Sequence, residues 1–245
     1  MAARSRCRRR CPATWPSSAL PISSTLNPDK RYRLIVFDWD GTLMDSTAGI
    51  TVCIQEAARD MGLPVPPREA ASHVIGLGLH DSLRSAVPSL PAEKYAAFVE
   101  LYRKHFHARQ EAMVLFPGVP EMLAELRNAG HLLAVATGKS RRGLDHALQV
   151  TGLAGCFEAS RCADETESKP HPAMLLELMR ELRLEAKDLL MIGDTSHDLG
   201  MAKSAGVDAV AVTYGAHEPA SLLAFEPRAC VANVVELRQW LTTNA

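Results

Sequence analysis

The sequence predicts an α/β fold: a doubly wound parallel sheet that carries a small inserted helical unit. Three observations lead there. Short apolar runs alternate with helical stretches from Pro117 onward, which is the pattern of strand–helix–strand units feeding one parallel sheet. An earlier run of the same kind, Leu34–Phe37, is separated from the others by a stretch, residues 46–115, whose periodicity is helical throughout. The chain has 245 residues with 47% hydrophobic content, enough for one large domain, or one domain with an insert, around a sizeable core.

The first element organises the rest. Leu34–Phe37 is apolar and rich in β-branched residues, so it reads as a short buried strand. Asp38 and Asp40 appear as the run stops. A buried strand does not tolerate unpaired acids, which places both carboxylates beyond its C-terminal end, in a crevice. Strand spacing points the two acids the same way and turns Trp39 to the other side, into packing. Gly41 and Thr42 suit a sharp turn directly after. An isolated Asp-x-Asp is more often a capped strand end with two solvated acids, so the downstream chain has to decide.

After Asp45 the pattern turns helical. Ser46 is a candidate N-cap, and Ile50, Ile54, Ala57, Ala58 and Met61 follow at spacings of three and four until Gly62 and Pro64 end the helix. Short helices are expected near 68–75 and 80–87, and a longer one near 91–112. The four form a small helical bundle that covers something. From Pro117, helices at 119–129, 140–151, 172–184, 197–205 and 233–242 alternate with strands at 132–136, 156–160, 188–192 and 208–213.

Composition excludes several classes. The formal net charge of −1 is unevenly spread: residues 1–30 hold six Lys/Arg and one acid, a balance of +5, which leaves the remainder at −6. An acidic body with only 5% aromatic residues does not suit nucleic-acid binding. No apolar run approaches the roughly 18 residues that span a membrane. The first thirty residues are Arg-, Ser- and Pro-rich without an apolar stretch behind the arginines. They read as a disordered tail outside the folded unit rather than a secretory signal, although the composition also suits a transit peptide. The six cysteines form no CxxC pair, which fits free thiols and a cytoplasmic location.

The stretch Phe37-Asp-Trp-Asp-Gly-Thr-Leu43 resembles the first motif of the haloacid dehalogenase (HAD) superfamily in its phosphatase form. Val135-Ala-Thr-Gly138 resembles the second motif, Ser168-Lys-Pro-His-Pro172 the third, and Met191-Ile-Gly-Asp-Thr-Ser-His-Asp198 the fourth. All four occur in order, at ends of expected strands or starts of expected helices, and the resemblance covers residues 33 to about 240. It implies a Rossmann-like core over 31–45 and 116–245, with residues 46–115 as a cap of the first type over the active site. The Asp-Gly-Thr-Leu-x-Asp-Ser run and the small cap most resemble phosphoglycolate phosphatases.

The resemblance implies a reaction on a small-molecule phosphate ester, with no nucleic acid or membrane as partner, by a monomer or homodimer. Asp38 would attack phosphorus and form an aspartyl-phosphate. A carboxylate approaching a phosphate dianion at about 4 Å, at an effective dielectric near 20, meets roughly 8 kcal/mol of repulsion, so positive charge has to offset it. Mg²⁺ is the expected cofactor, held by Asp38, the Asp40 backbone carbonyl and Asp194, with Asp198 supporting ligands or waters. Lys169 adds a second positive charge. Thr137, with backbone N–H groups at Gly138 and Lys139, would bind phosphoryl oxygens. The Asp40 side chain would protonate the leaving oxygen and then activate water.

Other readings of the motif set separate by residue. Haloacid dehalogenases lack the second acid of the first motif, which is present here as Asp40, and phosphonatases use a cap lysine, whereas residues 46–61 contain none. A phosphosugar mutase and a non-catalytic binding protein on the same scaffold remain as alternatives. Gly76-Leu-Gly78 is either an interhelix turn or a cap loop that meets substrate. His80, Arg84, Arg103 and Lys104 read as solvated positions that could also face an anionic substrate. Gly138-Lys-Ser140 is no P-loop, because Leu133 stands where a glycine is required. His105 and His107, two apart on a helix, point to different faces and make no metal site.

Overall fold

A computed structural model describes residues 30–245; the expected tail, apart from Lys30, lies outside the described residues. Among the described residues, six parallel strands form one sheet. They are β1 (Leu34–Phe37), β4 (Leu132–Thr137), β5 (Ala159–Cys162), β6 (Leu189–Gly193), β7 (Asp208–Val212) and β8 (Ala229–Val231), in the spatial order β5-β4-β1-β6-β7-β8. A second, two-stranded antiparallel ribbon joins β2 (Met44–Asp45) to β3 (Val114–Leu115).

The period-two alternation of β1 divides the core. Ile35 and Phe37 face one hydrophobic layer, with α5 (Val119–Asn128), Leu144 of α6 (Arg141–Thr151) and α10 (Val234–Asn244) packed against it. Leu34 and Val36 face the other, covered by α7 (Ala173–Leu182), α8 (Ser196–Ala205) and α9 (Pro219–Leu223). Helices on both faces make the sheet doubly wound, as expected. A strand buried on both sides has to be apolar throughout, and each of these side chains contributes about 1.5–3 kcal/mol by leaving water.

Between β2 and β3 lie the helices of the insert: α1 (Thr47–Asp60), α2 (Arg68–His73), α3 (Leu79–Ala86) and α4 (Tyr95–Arg109). They enclose a separate core of Ile50, Ile54, Leu83, Phe98 and neighbours. The β2–β3 ribbon pins the two ends of the insert together, a feature the helical pattern of 46–115 did not announce.

Some expected boundaries move. The strand expected at 156–160 lies at Ala159–Cys162: Cys156 and Phe157 belong to the core but precede the ladder, while the true strand is a half-exposed sheet edge whose Ser160 and Arg161 hide it from an apolar-run search. The long helix expected at 91–112 is α4 with a 3₁₀ turn at each end, Ala92–Lys94 and Gln110–Ala112. Lys169 precedes α7, which begins at Ala173, one residue from the expected start.

Candidate active site

The strand order reverses between β1 and β6, which pair in parallel with Phe37 opposite Ile192. In such a sheet the two chain directions diverge at the C-terminal edge and leave a crevice. Asp38 follows β1 and Asp194 follows β6, so the reversal alone brings these acids together across 156 residues of chain. The Asp38 N–H donates to the Ile192 carbonyl at 2.9 Å, which continues the ladder one residue past the strand and fixes where its carboxylate starts. Thr137 closes β4 on the other side of β1, and Lys169 arrives from the loop between β5 and α7. Asp38, Thr137, Lys169, Asp194 and Asp198 are all buried.

Lys169 is the hub of this cluster. Its ammonium donates to Asp38 Oδ1 at 2.6 Å and lies 2.6 Å from Asp198 Oδ1. Asp198 is fixed in turn by a capping box at the start of α8: its Oδ2 accepts from the Thr195 N–H at 3.0 Å and the Thr195 hydroxyl at 2.6 Å. Asp194 Oδ1 accepts from the Thr42 hydroxyl at 2.8 Å, and its Oδ2 from the Ala216 N–H at 2.7 Å. Asp40 makes its side-chain contacts outside this cluster. Its Oδ1 accepts from the Ser46 hydroxyl at 2.7 Å, and its Oδ2 lies 2.9 Å from Lys139 Nζ. Thr137 Oγ1 accepts from the Lys139 N–H at 3.2 Å.

The electrostatics call for a cation. Asp38, Asp194 and Asp198 offer carboxylate oxygens within 4.8 Å of one another, and Lys169 is the ammonium among them, so the fully ionised cluster would carry −2 in a buried place. Burial pushes the Asp38 carboxyl well above the usual range; Lys169 opposes that, and Asp198 and Asp194 add to it. Asp194 rises to about 7, first from burial and then from Asp198. Burial acts to lower Lys169, but the Asp198 and Asp38 carboxylates outweigh it and the net direction is upward. Asp38 Oδ2 is buried with no hydrogen-bond partner among the described residues. Three buried carboxylates whose charge a single ammonium leaves at −2 have the donor chemistry that Mg²⁺ requires.

Two glycines allow the close approaches. Gly41 turns the chain at φ +89°, and a Cβ there would overlap the Asp194 carboxylate. Gly138 lies under the cap loop, where a Cβ would overlap the Gly76 and Leu77 carbonyls. The Gly78 N–H donates to Ser168 Oγ at 2.7 Å, one residue before Lys169. The Gly76–Gly78 loop therefore rests on both the second and the third motif, beyond what an interhelix turn requires. Beside Asp40 opens a cavity of about 930 Å³, lined from the insert by Ile50, Ile54, Tyr102, Arg103 and Phe106, and from the body by Lys139. Lys104 also lines it. His80 and Arg84 do not: His80 lies against the Tyr95 ring, and Arg84 is exposed. His105 is paired with Glu56 and Asp60, and His107 with Gln110.

Lys139 contributes more than the backbone N–H expected of it: its side chain lies 2.9 Å from Asp40 and over the Phe106 ring at 5.2 Å. Position next to Thr137-Gly138 was the signal available. Ser46 stands at the N-cap of α1 but makes no capping bond, because its hydroxyl is committed to Asp40. Nothing local marks Thr42 or Ala216 as partners of Asp194.

The model of the haloacid dehalogenase-like hydrolase family matches residues 35–212. A curated relative, the probable phosphatase IndB of Dickeya dadantii, is 39% identical over 83% of this chain and 91% of its own length. The phosphoglycolate phosphatase of Vibrio vulnificus is 34% identical over 80% of this chain and 90% of its own. The crystal structure of a predicted phosphoglycolate phosphatase from Haemophilus somnus superposes with a TM-score of 0.78 at 26% identity, covering 86% of this chain and 98% of that one.

Proposed function

The chain belongs to the haloacid dehalogenase-like hydrolase family and is a phosphatase, and on that premise we propose that it hydrolyses a small phosphorylated metabolite, phosphoglycolate-like or a sugar phosphate, through an aspartyl-phosphate on Asp38 with Mg²⁺ as cofactor. The observation that carries this reading is Asp38 itself: one oxygen is held by Lys169 at 2.6 Å while the other is buried and unpartnered. One anchored oxygen fixes the carboxylate plane, and the other keeps its lone pairs for phosphorus.

In this reading Asp38 Oδ2 forms a bond to phosphorus as the ester P–O bond breaks. Asp40 gives a proton to the departing oxygen, then takes one from the water that attacks phosphorus and releases Asp38. Ser46 and Lys139 hold the two oxygens of Asp40 so that one carboxyl serves both half-reactions. Thr137 and the Gly138 N–H would bind phosphoryl oxygens beside Lys169. Asp38, Asp194 and the Asp40 backbone carbonyl would hold Mg²⁺, and Asp198 supports the site chiefly by fixing Lys169. The ion would neutralise charge that the cluster and the phosphoryl group share.

Residues 31–45 and 116–245 act as the catalytic body and 46–115 as the cap that selects the leaving group. The buried free thiols of Cys53, Cys156 and Cys162 fit a reducing compartment such as the cytoplasm. No helix among the described residues is long and apolar enough to cross a membrane. The test is a rapid-quench reaction with an aryl phosphate followed by peptide mass spectrometry. A phosphorylated peptide containing Asp38 is expected, and a phosphate carried by any other residue would overturn the assignment.

A further inference from the structure

Three histidines meet where the insert joins the body. His73 ends α2, His197 lies in the first turn of α8, and His217 lies in the loop after β7. The His73 and His217 rings stack at 4.6 Å, and His197 stands edge-on to both at 5.4 and 5.1 Å. Their ring nitrogens lie within 4.8 Å of one another, a spacing that would suit a metal. The hydrogen bonds assign the protons otherwise. The Ser196 N–H donates to His217 Nδ1 at 3.0 Å, so that nitrogen is bare and the ring proton is on Nε2. His217 Nε2 then donates to the His73 backbone carbonyl at 2.9 Å, and His197 Nε2 meets the same carbonyl at 2.8 Å. A carbonyl has two lone pairs, and each histidine takes one. With both nitrogens engaged, His217 has none left for a metal. The cluster clasps the C-terminal end of α2.

The clasp is continuous with Asp194. The His217 N–H reaches the Asp194 backbone carbonyl at 3.4 Å, and its neighbour Ala216 gives its N–H to Asp194 Oδ2 at 2.7 Å. Three residues beyond His73 begins the Gly76–Gly78 loop that rests on Gly138 and Ser168.

We infer that His217 is a positioning residue that couples docking of the 74–78 cap segment to the placement of the Asp194 carboxylate, its ring bridging the cap carbonyl of His73 and the Ser196 N–H. Where two sites bias one element, the coupling is reciprocal: an ion that fixes Asp194 favours the docked segment, and docking favours the ion. The inference rests on the reading of Asp194 as a Mg²⁺ ligand, which calorimetry on the unaltered protein and on Asp194→Asn tests by itself.

The full chain with His217→Asn and His217→Gln separates the two ends of the bridge. Asn keeps an acceptor near the Nδ1 position for Ser196 but falls short of His73; Gln keeps a donor near the Nε2 position but loses the acceptor. Mg²⁺ affinity by calorimetry, hydrogen exchange of residues 74–78 with and without Mg²⁺, and kcat and KM are the readouts. In the unaltered protein Mg²⁺ slows exchange at 74–78. In His217→Asn the ion still binds but no longer slows that exchange, and KM rises about fivefold, the loss of one ordinary hydrogen bond. In His217→Gln Mg²⁺ affinity falls about fivefold while the segment stays protected. Equal Mg²⁺-dependent protection in the unaltered protein and His217→Asn would overturn the coupling. So would a parallel loss of kcat, KM and Mg²⁺ affinity in both variants, which marks a purely structural residue. Stoichiometric Zn²⁺ binding abolished by His73→Ala would make the cluster a metal centre instead. None of these outcomes depends on whether Asp38 is the nucleophile, which the rapid-quench experiment decides separately.

Discussion

Lys139 Nζ lies 2.9 Å from Asp40 Oδ2, so the carboxyl proposed as acid and base is held by the residue that follows Thr137 and Gly138 at the end of β4. Asp40→Asn should cut turnover of an alkyl phosphate by at least about a hundredfold, the lower end of what a positioned acid or base contributes. An aryl phosphate, whose leaving group needs little protonation, should still phosphorylate Asp38 and give a burst of phenol before slow turnover. Pre-steady-state kinetics on both esters decides it; equal losses without a burst would remove Asp40 from the chemistry. Lys139→Ala should lower kcat in the same pattern but less, and Lys139→Arg should recover part of it.

Asp38→Asn should abolish turnover while the protein stays folded. The amide keeps the shape, and the metal-free cluster loses one of three mutually repelling carboxylates while Lys169 keeps its contact with Asp198. Circular dichroism and thermal melting should show a transition close to that of the parent. Substantial phosphatase activity in purified Asp38→Asn would refute covalent catalysis by this residue.

Mg²⁺ binding should depend on pH through Asp194. Burial and Asp198 raise this carboxyl to about 7, so below that value the metal-free site is largely protonated and the ion has to displace the proton. Through this group alone, apparent affinity should fall up to about tenfold for each pH unit below 7, and the raised Asp38 carboxyl adds to the dependence. The same shift acts on stability. The unfolded carboxyl ionises near 4 and the folded one near 7, so this group stabilises the metal-free fold at acid pH, and its contribution is lost as pH rises between those values. Calorimetry in buffers of different ionisation enthalpy should show more proton release on Mg²⁺ binding at pH 6 than at pH 8, with Asp38 adding to the release from Asp194. Identical proton release at both would contradict it.

Cap selectivity should map to Phe106 rather than to His80. Phe106 lines the cavity beside Asp40 and lies under the Lys139 ammonium, whereas His80 stays outside the cavity against Tyr95. Phe106→Ala should reorder kcat/KM across a panel of phosphorylated metabolites and change the smallest ester least. His80→Ala should leave the ranking as it was. A uniform loss across the panel in Phe106→Ala would show that the ring supports cap packing alone.

The sequence by itself determined most of the alternation of strands and helices, though not β2, β3, β8 or α9, and it marked a helical stretch after Asp45 and the candidates Asp38, Asp40, Thr137, Lys169, Asp194 and Asp198. Those signals are local: a β-branched run that stops at two acids, helical spacing after Asp45, a lysine before prolines. The tertiary structure decided how these residues meet. Thr42 reaches Asp194 across 152 positions because β6 settles beside β1 at the reversal of strand order, and Lys169 reaches Asp38 across 131 from the loop between β5 and α7. Ser46 shows the competition most directly. Its position before α1 reads as a cap, yet a buried carboxylate accepting its hydroxyl at 2.7 Å outweighs a backbone N–H that water can also satisfy. The register of β5 was hidden for a related reason: an edge strand packs on fewer neighbours, so its residues need not be apolar, and only the ladder with β4 identifies it.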